Sequence, residues 1–108
     1  MKKGGAMMLV VVAIMKAKEG MEQEFEQALK SIIPQVETEK GTLMYTLHRH
    51  KKEAGKFLFY EKYANKEALK EHSSTPHFTA LFGKIGPMLD GSPVIEMYEE
   101  VSGITPKK

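Results

Sequence analysis

Eight consecutive apolar residues, Met8-Leu9-Val10-Val11-Val12-Ala13-Ile14-Met15, constrain this chain more than any other stretch. A strand with one wet face alternates apolar and polar side chains. A short, valine-rich run without alternation is the pattern of a strand covered on both faces. Any fold that uses it must place a layer on each side of the sheet.

Read with what precedes it, the run has a second meaning. Met1-Lys2-Lys3 followed by apolar residues from Ala6 to Met15 resembles the basic and apolar regions of a secretory signal. The run ends in Lys16-Ala17-Lys18-Glu19-Gly20 without a small-x-small cleavage pattern, and it is too short to cross a bilayer. It is therefore read as a core strand, with no membrane partner. The chain has no cysteine, which removes disulfides, thiolate nucleophiles and sulfur-ligated metals and fits a reducing, cytoplasmic setting. The net charge of +2 belongs to the ends: without Lys2, Lys3, Lys107 and Lys108, twelve basic residues face fourteen acidic ones. No basic stripe interleaves with aromatics, so nucleic acid is not an expected partner.

The rest of the chain reads as alternating periods. Met21 to Val36 carries Phe25, Ala28, Leu29, Ile32, Ile33 and Val36 on one helical face, with Pro34 expected to kink or shorten the helix. Thr42 to His50 alternates, with Leu43, Tyr45 and Leu47 on one face and Thr42, Met44, Thr46 and His48 on the other. Lys51 to Gly55 is a hairpin loop, and Phe57 to Tyr63 is a second two-sided apolar strand. Asn65 caps a short helix carrying His72. Thr75 and Pro76 open another, with Phe78, Leu81, Phe82 and Ile85 at helical spacing, ended by Gly86-Pro87. Val94 to Val101 is the last strand.

The order β-α-β-β-α-β predicts an α+β, ferredoxin-like fold: a four-stranded antiparallel sheet with its helices on one face. The bare face then needs a cover, and a second copy of the sheet is the simplest one, giving a homodimer. One domain spans residues 8–104, with flexible tails at 1–7 and 105–108.

Ile33-Pro34, Glu39-Lys40-Gly41-Thr42-Leu43-Met44-Tyr45, Phe57-Leu58-Phe59-Tyr60-Glu61-Lys62-Tyr63, Asn65-Lys66-Glu67-Ala68-Leu69 and His72 through Phe78 occur in an order and spacing that resemble the antibiotic biosynthesis monooxygenase (ABM) domain, a dimeric α+β barrel. The resemblance covers Met8 to about Ile104. It implies one of several activities: cofactor-independent oxidation of quinols or anthrones, haem degradation, or isomerisation of a phosphorylated autoinducer. The haem branch is least similar, since Ala13 stands where its members place Asn, Phe82 stands where they place an axial His, and tryptophan is absent. The His-x-x-Thr-Pro-His run occurs in both remaining branches.

Five groups of residues are weighed for chemistry. His72 falls inside the only apolar arc of its helix and is either a general base or a satisfied core histidine. Glu61 shares a strand face with Phe57, Phe59 and Tyr63, where a carboxylate needs a partner or stays protonated; pairing with His72 would satisfy both, as a site or as a structural pair. His77 lies at a helix start, where free N–H groups favour an anion. Tyr45, Tyr60 and Phe82 are expected as walls of a substrate pocket. His48 and His50 have a spacing that could hold a metal, but no third ligand accompanies them, so no metal and no cofactor are expected.

The expected function is thus a cofactor-independent monooxygenase oxidising a small electron-rich aromatic with O2. An isomerase of a small phosphorylated carbonyl compound is the enzymatic alternative. A non-catalytic dimeric ligand-binding protein is the other.

Overall fold

The computed structural model describes residues 8–107. Residues 1–7 and Lys108, expected as tail, lie outside the described residues. Four strands, β1 (Leu9–Lys16), β2 (Thr42–Arg49), β3 (Lys56–Tyr63) and β4 (Val94–Glu99), form one antiparallel sheet in the order β2-β3-β1-β4. Helices α1 (Glu22–Ser31), α2 (Ile33–Val36), α3 (Lys66–Ser73) and α4 (Pro76–Ile85) complete the α+β, ferredoxin-like arrangement. A 3-10 turn at Gly86–Met88 follows α4.

The side chains that alternate toward the helices make the core: Ala13 and Met15 of β1 and Phe57 and Phe59 of β3 pack with Phe25, Leu29, Ile32, Leu81 and Ile85. The opposite face of the same strands carries Val12, Ile14, Leu58 and Tyr60, only half-buried within the single chain. Tyr60 therefore sits across the sheet from the core and the helices, paired with Val12 and Thr46. Strand alternation requires this once Phe59 and Glu61 point inward, and it removes Tyr60 from any pocket between sheet and helices.

Three local departures from the sequence reading have plain causes. The helix expected over 21–36 is two helices meeting at Ile32, two residues before Pro34, which has no N–H to continue the ladder. Register shifts by a bulge between Thr42 and Met44, leaving Leu43 exposed and placing Thr42 opposite Tyr63. Thr42 thus joins the face of Tyr45, where uninterrupted alternation would have separated them. The last strand stops at Glu99, and Val101 and Ile104 beyond it are exposed.

The caps follow the expectation: Asn65 Oδ1 accepts from the Ala68 N–H, and Thr75 Oγ1 accepts from the Phe78 N–H. No helix among the described residues is long and apolar enough to cross a membrane.

Candidate active site

Two buried polar residues interrupt the core, Glu61 at 6% and His72 at 1% exposure. The register puts Glu61 of β3 between Tyr45 of β2 and Val11 of β1. Helix α3 lowers His72 onto this part of the sheet, its ring 5.4 Å from Tyr45, 5.5 Å from Tyr63 and 5.2 Å from Phe78 between centroids.

His72 does not pair with Glu61. Its Nδ1 lies 2.9 Å from Oε1 of Glu39, in the turn between α2 and β2. Oε2 of the same carboxylate lies 2.5 Å from His77 Nε2, and the Thr42 hydroxyl donates to Oε1 at 2.7 Å. Burial acts to raise the Glu39 carboxyl's pKa, but the hydrogen bonds from His77, Thr42 and His72 outweigh it and hold the group below the usual carboxylate range. An ionised carboxylate only accepts, so each imidazole donates to it. A neutral His72 therefore carries its proton on Nδ1, and Nε2 is left as an acceptor. That Nε2 is buried and has no hydrogen-bond partner among the described residues.

The approach of α3 to this turn depends on small residues. A Cβ on Gly41 would lie 2.4 Å from Cβ of Ala68, so the glycine lets α3 sit directly on the turn carrying Glu39. The Gly41 carbonyl also accepts from the Ala64 N–H just ahead of α3.

Glu61 finds its partner on its own strand. The Tyr63 hydroxyl, two residues along on the same face, donates to Oε1 at 2.6 Å. Burial dominates, Tyr63 opposes it and the charge of Glu39 adds to it, so the Glu61 carboxyl is pushed up to about 7. Tyr45 and Tyr63 are driven well above the ordinary phenol range, chiefly by burial.

His72, Glu61 and Tyr45 line one cavity of about 340 Å³ between sheet and helices, with Phe59, Phe78 and Phe82 among its walls and Ile95 and Met97 of β4 at its side. Of the residues singled out from sequence, His72, Glu61, Tyr45 and Phe82 meet here. Tyr60 does not, for the reason of strand alternation. His77 does not line it either; it stands on the far side of Glu39, beside Gln35 and Lys84. At the start of α4 the His77 ring meets the Glu39 carboxylate, and the Phe78 N–H is taken by Thr75 Oγ1. His48 Nε2 contacts the Thr46 hydroxyl, and His50 Nδ1 accepts the backbone N–H groups of Lys52 and Glu53, closing the hairpin. Among the described residues no group of three His, Cys, Asp or Glu is placed to hold a metal.

Glu39 and Thr42 escaped the sequence reading. Nothing in Glu37-Thr38-Glu39-Lys40 distinguishes one carboxylate from the other, and the bulge that turns Thr42 inward has no local signature there. Tyr63 was accessible, because residues two apart on a strand share a face.

Fold and site together define a ferredoxin-like α+β domain with its buried acid–base groups on an apolar cavity between the layers. Residues 8–84 match the antibiotic biosynthesis monooxygenase (ABM) family, and the chain belongs to it. A crystal structure described as a "putative antibiotic biosynthesis monooxygenase" from Caulobacter crescentus CB15 shares 37% identity and a TM-score of 0.85, over 90% of this chain and 92% of that one. The "Putative monooxygenase YcnE" of Bacillus subtilis is 30% identical over 95 residues, 88% of this chain and 99% of that protein. The uncharacterised protein sll1783 of Synechocystis is 29% identical over 97 residues, and the match spans 90% of this chain but 66% of that protein.

Proposed function

We infer that the protein is a cofactor-independent monooxygenase that oxidises a small quinol or anthrone with O2. The observation that carries this reading is the Nε2 of His72: a buried acceptor without a partner among the described residues, on an apolar cavity, with its ring fixed through Nδ1 by an ionised carboxylate. That is the arrangement of an oriented general base. His72 takes the acidic proton of the substrate, and the resulting phenolate or enolate reduces O2 by one electron. The radical pair combines to a carbon–peroxide bond, and loss of water leaves the new carbonyl. Both oxygen atoms and all four electrons are accounted for, one oxygen in the product and one in water, so the substrate itself is the reductant. Tyr45 and Phe82 hold the aromatic ring, and His77 acts through Glu39 as a positioning residue.

The walls favour this over the isomerase. Among the described residues no Lys or Arg lines the cavity to hold a phosphate. A panel of quinols and anthrones, followed by oxygen uptake with titration calorimetry alongside, tests the reading. Oxygen uptake with product formation supports it; heat of binding without uptake for every compound identifies a non-catalytic binder instead.

A further inference from the structure

His72 explains how a proton leaves the substrate, but not how water leaves the peroxide. The intermediate H–C–O–OH becomes C=O by losing the carbon-bound hydrogen to a base while the O–O bond breaks and hydroxide departs. Hydroxide is a poor leaving group in an apolar cavity, so an acid must protonate it as it forms. We propose that Glu61 is that acid: a second catalytic residue, distinct from the base, that donates its proton to the departing oxygen of the peroxide. This rests on the monooxygenase reading and assigns its final step.

The geometry gives Glu61 the attributes the step requires. It lies in the middle of the sheet, 6% exposed, on the same cavity as His72. Tyr63, itself fully buried, engages Oε1 at 2.6 Å, and no described side chain hydrogen-bonds Oε2. One oxygen is thus anchored and the other is free to carry a proton into the cavity. Among the surrounding titratable groups, Tyr45 across β2 and Tyr63 on the same strand are phenols held protonated by burial, and the charge of Glu39 favours the protonated form of Glu61. His72 on α3, held through Nδ1 by Glu39, offers its Nε2 as the base of the cycle. Val11 and Met97, in line with Glu61 on β1 and β4, add no charge.

The protons balance over the cycle. The first passes from substrate to His72 and on to the peroxide anion. The second passes from the peroxide-bearing carbon to His72 while Glu61 gives its own to the leaving hydroxide, making water. Proton return from His72 to Glu61 resets the pair, with no net release. The O–O bond is reduced, the carbon is oxidised, and dioxygen is the only co-reactant.

The experiment compares Glu61→Gln and Tyr63→Phe with wild type, using the quinol or anthrone of fastest oxygen uptake and measuring oxygen consumed, carbonyl product and organic or hydrogen peroxide in the same samples. Gln keeps the shape and can still accept from Tyr63, but cannot give up a proton. Glu61→Gln is expected to consume oxygen while product per oxygen falls at least ~10-fold, with peroxide making up the difference. Tyr63→Phe removes the hydrogen bond that opposes protonation of Glu61, so the alkaline fall in product yield should move to higher pH. Product matching oxygen at the wild-type rate in Glu61→Gln overturns the assignment. So does loss of oxygen uptake without peroxide in Glu61→Gln, or an unmoved pH profile in Tyr63→Phe. Absence of uptake by the wild type over the whole panel overturns the monooxygenase reading and this step with it, and is recognisable as such before any variant is made.

Discussion

At the scale of single residues, Glu39 organises the site although it does not line the cavity. It fixes the tautomer of His72, and it does so as a carboxylate held ionised by three donors. Glu39→Gln keeps the shape but replaces one acceptor oxygen with an amide nitrogen that donates. Turnover should then fall roughly 10²-fold or more, and stability by about 1–3 kcal/mol through unsatisfied buried donors. Steady-state kinetics and urea denaturation of the variant measure the two effects; unchanged turnover contradicts the orienting role. Glu61 makes a separate prediction about pH. Folded, its carboxyl titrates at about 7, against 4.5 ordinarily, so between those values the folded protein keeps a proton the unfolded chain has lost. Its contribution to stability therefore declines as pH rises from about 4.5 to about 7, by about 3 kcal/mol at most. Glu39, shifted the opposite way, loses stabilisation as pH falls below the usual carboxylate range. Denaturation midpoints across pH 4 to 8 should show the decline in wild type and a flatter profile in Glu61→Gln; equal slopes contradict it.

At the scale of elements, much was legible because periodicity is local. The two-sided run of β1, the apolar face of α1, and the Asn65 and Thr75 caps each follow from side-chain spacing or from a hydroxyl or amide at a helix start. His72 was placed inward by the same counting. Its partner was not, because Glu39 is thirty-three positions away and is delivered by the packing of α3 on a turn. Glu61 beside Tyr63 was within reach of strand alternation, and that alternation also placed Tyr60 on the wrong face for a pocket. The bulge at Thr42 and Met44 depends on pairing with β3, which no single strand encodes. The contact that delivers Glu39 is testable. Gly41→Ala would drive a Cβ into Ala68, so α3 must move away from the turn. Stability should drop by about 1–3 kcal/mol and turnover should fall with it. A variant as stable and active as wild type would show that this close approach is not required.

At the scale of the whole molecule, the single chain leaves work undone. Every residue of β4 is exposed, with Ile95 and Met97 at 49% and 61% on the helix side and Val94 and Tyr98 at 51% each on the other. The helices cover one face of the sheet, and Val12, Ile14 and Leu58 remain half-buried on the other. A homodimer through the bare face is the proposal this supports. Light scattering should report about twice the 12.2 kDa chain mass, and Val12→Lys should yield monomer with lower stability. A cooperatively folded monomer at micromolar concentration contradicts it. Direct oxygenation of an aromatic substrate in the His72 cavity is read out by turnover under ¹⁸O₂ with chelator present, followed by mass spectrometry of the product. One labelled oxygen per product molecule is expected, formed ~10²–10⁴-fold more slowly by His72→Asn. Unlabelled product, or labelled product formed equally fast by His72→Asn, would contradict it.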